Sequence, residues 1–131
     1  MPGYEPVMAL YRHATGTGHL FARSNWTRDA LWMGFVAGRY DQSHAHQDQG
    51  AFTLFQRDFL AVTENIFTHS GIQQGAEVHN VVRFTSNGTT VRQREGTTST
   101  MVVTPGANGA LTVDADLTPS YNGNAAVGQW R

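Results

Sequence analysis

The chain has no cysteine and no lysine. The first absence excludes disulfides and thiolate ligands, so a metal here has only imidazole and carboxylate to hold it. The second leaves nine arginines scattered singly among ten acidic residues, for a formal net charge of -1. That distribution contains no basic stripe of the kind that neutralises nucleic-acid phosphates, and nucleic acid is not expected as a partner. Long apolar runs are missing too. No window approaches the roughly 20 residues that cross a bilayer as a helix, and the opening "MPGYEPVMALYRHATG" lacks the basic-then-apolar order of an export signal. No membrane partner is expected. Internal repeats and low-complexity linkers are absent, and helical periodicity is nearly so.

What is present fits one β-sheet domain. With 131 residues and 40% hydrophobic content, residues 1–131 are long enough to bury one core and too short for two. Short β-rich runs recur between Gly, Asn, Asp and Ser, which predicts an all-β, antiparallel, sandwich-like domain built from successive hairpins. The expected strands are Val7–Tyr11, His19–Ser24, Ala30–Val36, Ala51–Gln56, Phe59–Thr63, Glu77–Phe84, Thr89–Arg94, Thr100–Thr104 and Ala110–Ala115. Arg57-Asp58 suits a tight hairpin, and Asn87-Gly88 and Asn108-Gly109 accept the positive φ angles of hairpin turns. Three hairpins in succession predict a meander. Alternation in Glu77–Phe84 would turn His79 away from the Phe84 side. The C-terminal "LTPSYNGNAAVGQWR" stops where a further strand would begin, as a truncated larger protein would.

The stretch "SHAHQDQGAFTLF" spaces His44, His46 and Asp48 so that, in a strand, they line one face. A borderline cation such as Zn²⁺ takes such ligands, normally three or four from more than one segment. His79 is the best further candidate, with Glu64 and His69 between them in sequence. The same row also suits a solvent-facing strand that holds no metal, and Asp48 suits a backbone contact in the turn before Gly50. One histidine of the pair has the right pKa range for proton transfer while the other holds a metal, and spacing does not choose between them. Trp26, Trp32, Phe35 and Phe52 can stack on sugar rings, but large aromatics in β-runs ordinarily fill the core. Arg23 suits either a bidentate carboxylate contact or a structural role.

Two families share parts of this pattern. Gly38 through His44-Ala45-His46 opens like the first cupin motif, but Gly50 and Ala51 stand where its glutamate belongs. The closer resemblance is to the C-terminal β-sheet domain of the heparinase II/III-like polysaccharide lyases. It rests on Arg23-Ser24-Asn25-Trp26, on the apolar strand "ALWMGFVAG", and on His44-Ala45-His46-Gln47-Asp48-Gln49-Gly50-Ala51-Phe52. Leu60-Ala61-Val62, His79-Asn80-Val81-Val82 and "DADLTPSY" follow in the family's order.

The resemblance implies β-elimination on an acidic, uronate-containing polysaccharide: a base removes the C5 proton and the glycosidic oxygen leaves from C4. It implies His44 as a catalytic residue of the cleft and His46 and His79 as ligands of a structural zinc beneath it. The family's third zinc ligand is an aspartate where this chain has Thr63, so Glu64, one residue on, would have to turn inward through a bulge. Arg23 is then a substrate-binding candidate. The family's catalytic tyrosine lies on an N-terminal α-helical toroid for which this chain has no room. The toroid is accordingly an expected partner, and the isolated chain is expected to be inactive. Periplasmic or secreted localisation follows by analogy. The competing reading is a non-catalytic module that binds a glycan or supports a neighbouring domain.

Overall fold

The computed structural model describes residues 9–41, 46–63 and 75–121. Its largest unit is a five-stranded antiparallel sheet formed by β1 (Tyr11–Ala14), β2 (His19–Arg23), β3 (Trp32–Val36), β5 (Phe52–Gln56) and β6 (Asp58–Ala61), in that spatial order. β4 (Arg39–Tyr40) leaves this sheet and pairs with β9 (Thr97–Thr98). Two further hairpins stand apart, β7 (Phe84–Ser86) with β8 (Thr89–Val91), and β10 (Thr100–Pro105) with β11 (Leu111–Asp116). The architecture is thus antiparallel β throughout, as the turn spacing predicts. Among the described residues no helix is long and apolar enough to cross a membrane.

The expected hairpin dipeptides sit at turns. Asn87 and Gly88 take φ of 50° and 76°, and Asn108 and Gly109 take 57° and 76°, the left-handed values that tight β-turns demand. Arg57 lies at the tip between β5 and β6 with φ 61°. The three hairpins nevertheless do not form one meander, because they belong to three different sheets. The β7–β8 and β10–β11 hairpins make their own two-stranded sheets.

Three strand expectations change. Glu77–Phe84 is a 3₁₀ turn at Ala76–Val78 followed by irregular backbone, and the strand begins only at Phe84. Residues 46–50 are irregular backbone and turn, so His46 and Asp48 do not lie on a strand, and His44 lies outside the described residues. β1 covers Tyr11–Ala14; of the expected Val7–Tyr11 strand, Val7 and Met8 lie outside the described residues, and Ala9 and Leu10 precede the strand as irregular backbone.

Leu20, Phe35 and Phe52 are cross-strand partners and share one face of the large sheet. Leu20 is fully buried. On β11, Val113 and Ala115 alternate with exposed Thr112 and Asp114, and the apolar pair meets Phe35 and Phe52 around an apolar gap of about 220 Å³. A second cluster joins Val91, Tyr121 and Phe84, the two rings meeting edge to face at 5.1 Å. Gly18, with φ 69°, crosses so close to Ala37 and Gly38 that a side chain on it would collide with their backbone. At the far edge, β6 carries a bulge. Leu54 pairs with Ala61 and Phe55 with Phe59, which leaves Leu60 as the extra residue.

Candidate functional site

The other face of the large sheet carries His19, Phe21, Gly34 and Thr53 by the same alternation. Over it lies an open pocket of about 330 Å³, to which His46, Asp48, Thr63 and His79 also contribute. Four separate segments therefore meet here.

The convergence expected of His46 and His79 is present. Their rings meet at 63°, with centroids 5.0 Å apart, and His46 Nδ1 stands 3.0 Å from His79 Nε2. His79 is buried and His46 half-buried. His79 Nδ1 lies against the Thr63 backbone carbonyl oxygen and 3.4 Å from Thr63 Oγ1. A carbonyl only accepts, so Nδ1 carries a proton, and in the neutral ring Nε2, which faces His46, is then the nitrogen with the lone pair. Fixing a metal-facing tautomer through a backbone carbonyl on the second nitrogen is a common outer support of metal-bound histidine.

Those donors suit zinc in kind and in spacing. Two nitrogens on a tetrahedral zinc, each about 2.0–2.1 Å from it, lie about 3.3 Å apart, close to the separation seen here. Among the described residues no group of three or more His, Cys, Asp or Glu side chains is placed to hold a metal ion. His46 and His79 are thus two ligands of a possible set. Thr63, which replaces the expected aspartate, takes part through its carbonyl. Glu64, His69 and His44 lie outside the described residues.

Asp48 takes part in the turn through its backbone, its carbonyl accepting Ala51 N–H at 2.8 Å, a bond that does not depend on the side chain. The carboxyl group also lines the pocket, where burial pushes its pKa up against the pull of His79, His46 and His19. Half-buried His19 also lines the pocket, although the spacing arguments did not single it out. Its parity with Phe21 along β2 is the signal that would have placed it here.

The backbone around the pocket is held by side-chain amides. Asn80 Oδ1 accepts Phe52 N–H at 3.0 Å while its Nδ2 donates to Phe52 O at 2.5 Å. Buried Gln93 repeats the device: its Oε1 accepts Gln49 N–H at 2.9 Å and its Nε2 donates to Gln49 O at 2.8 Å. Gln49 Oε1 in turn accepts Gly38 N–H at 2.7 Å. Each carboxamide does for one residue what a neighbouring strand does for a whole segment. Reversal of the chain at 46–50 is thereby tied to both the sheet and the β8–β9 connection.

Arg23 does not line this pocket. Its Nε donates to Asn25 O at 2.6 Å and its Nη2 to Thr27 O at 3.3 Å. The guanidinium lies 4.2 and 4.3 Å from the ring centres of Trp26 and Trp32, a double cation–π stack. The Arg-Ser-x-Trp element thus forms a local knot of its own. Its indoles, expected in the core, are about half exposed.

Compared with known protein families, curated proteins and solved structures, the chain matches none. The resemblance described above therefore rests on its motifs.

Proposed function

We propose that the chain is part of a heparinase II/III-like polysaccharide lyase, acting on a uronate-containing glycan by β-elimination. In this reading His44 belongs to the cleft, where proton transfer at C5 needs a group with a pKa near neutrality. His46 and His79, with Glu64 as the further ligand, bind a structural zinc that braces the turn carrying His44. An N-terminal helical toroid would supply the tyrosine and the rest of the substrate-binding surface, and the parent protein would be periplasmic or secreted. The observation that carries the reading is the approach of His46 to His79 across 33 residues, with the His79 tautomer set by Thr63. That is the pairing the motif order implies.

The half-exposed Trp26 and Trp32 and the exposed Phe21 favour the second reading, a glycan-binding or supporting module without catalysis. Zinc content separates the cation site from its absence. Elemental analysis of the purified chain should give close to one zinc per molecule, and chelation should lower the melting temperature. Folded protein without zinc, indifferent to chelator, would end the zinc part of the proposal. Thr63→Asp, which restores the aspartate of the lyase pattern, should tighten zinc at least about tenfold. His44 is tested in a chain that includes the helical domain: His44→Ala should abolish formation of unsaturated sugar ends while leaving the melting curve unchanged. Undiminished turnover would remove His44 from the chemistry.

A further inference from the structure

The sheet face beneath the histidine pair contains a gap. Phe21, Gly34 and Thr53 are direct cross-strand partners on β2, β3 and β5, so all three positions belong to that face. A Cβ added at Gly34 would meet nothing within 4 Å. Glycine inside a strand weakens it and often marks a place where something approaches the backbone closely. Here the surroundings suit a ligand. Phe21 is 57% exposed, and its ring lies nearly parallel to that of His19, at 11° with centroids 6.1 Å apart. The two nearly parallel rings stand beside the gap. Thr53 and Asp48 contribute a hydroxyl and a carboxylate to the same pocket, whose volume of about 330 Å³ is at the small end for ligand sites.

An occupant of such a site needs a flat apolar face for Phe21 and hydroxyl donors along one edge for Asp48. A purely aromatic ring has the face but not the donors. We infer that the trough over Gly34 binds a single pyranose ring of a saccharide, stacked by its C–H face on Phe21, with uncharged hydroxyls donating to Asp48 and bonding to Thr53. The inference shares its ligand class with the lyase reading and rests on it to that extent, but other residues carry it.

Backbone amide NMR of the intact chain, titrated with methyl β-glucopyranoside, methyl β-galactopyranoside and methyl α-mannopyranoside, tests it. At least one pyranoside should give saturable shifts at the Gly34 and Thr53 amides, while cyclohexylmethanol, a ring of similar size without ring hydroxyls, should not. Gly34→Val, whose Cβ would meet nothing within 4 Å, puts branched bulk into the gap and should weaken binding about tenfold or more. Phe21→Ala, which removes an exposed ring, should do the same. No saturable shift with any of the three sugars, or unchanged affinity in folded Gly34→Val protein, would overturn the subsite. Chelated protein should bind the sugar as before. Zinc content thus tests the earlier reading alone, and pyranoside binding tests this one.

Discussion

The two halves of the pocket are built differently. Its floor is a five-stranded sheet whose backbone groups satisfy one another in long ladders, so each strand is held at many points. Its rim, from His46 to Ala51 and around His79, joins the ladder only where Gly50 and Ala51 bond to Val36, and side-chain amides, Asn80 on Phe52, Gln93 on Gln49 and Gln49 on Gly38, hold the rest. A ladder distributes the loss of any one bond over its neighbours, whereas a single amide carries both bonds of its partner residue. The floor should therefore tolerate side-chain changes and fail on backbone changes, and the rim should fail on one side chain.

The largest effect expected belongs to the floor. Gly18→Ala places a methyl into the backbone of Ala37 and Gly38 at a positive φ. A cost above about 4 kcal/mol is expected from the collision and the strained φ together. Urea denaturation should find the variant largely unfolded, and a native-like midpoint would show that the crossing can open at little cost. Next comes the rim. Gln93→Leu keeps the volume but strips both partners from Gln49, which should cost about 2–4 kcal/mol. A loss as small as that of an exposed substitution would erase the contrast between rim and floor.

Asp48 sharpens the contrast through pH. Burial raises its pKa in the fold, so the folded state is penalised where the carboxyl ionises. The penalty is absent below the ordinary carboxylate range near ~4 and grows as pH rises from there through the raised folded value. In zinc-free protein, Asp48→Asn should melt higher than the wild type at neutral pH and alike at low pH. A gap that widens on acidification would reverse the sign and the account with it. The smallest effect is expected at Arg57, whose 2.7 Å pair with Asp29 is exposed on both sides and holds the Asp29 carboxyl below its usual pKa. Arg57→Ala should leave the melting temperature unchanged within error, because solvent and salt screen such pairs.

The same division decides how much the sequence revealed. Alternation and turn chemistry act over a few residues, so β2, β5, the Asn87-Gly88 turn and the antiparallel class were legible from the chain alone. The apolar-rich run around His79 read as a strand, but a 3₁₀ turn and the engagement of Asn80 with Phe52 took precedence over it. Parity then misplaced His79, which is buried in the pocket rather than on a strand face. The meeting of His46 with His79 was legible from motif order. Gln93 and His19 were not, because a lone glutamine gives no local hint of the backbone it will clamp and His19 gained its role only when three other segments folded over β2.

The bulge in β6 has a consequence for the protein in solution. Among the described residues β6 forms an outer edge of the sheet and exposes Phe59, at 60%, and Leu60, at 62%, with Val62 following at 51%. A straight edge of that composition would recruit the equivalent edge of another molecule and extend the sheet from chain to chain. The extra residue at Leu60 breaks the regular spacing of donors and acceptors there, so incoming strands lose their register after one or two bonds. An insertion of one residue thus acts as a solubility device, and a deletion that straightened β6 would be expected to make the protein self-associate.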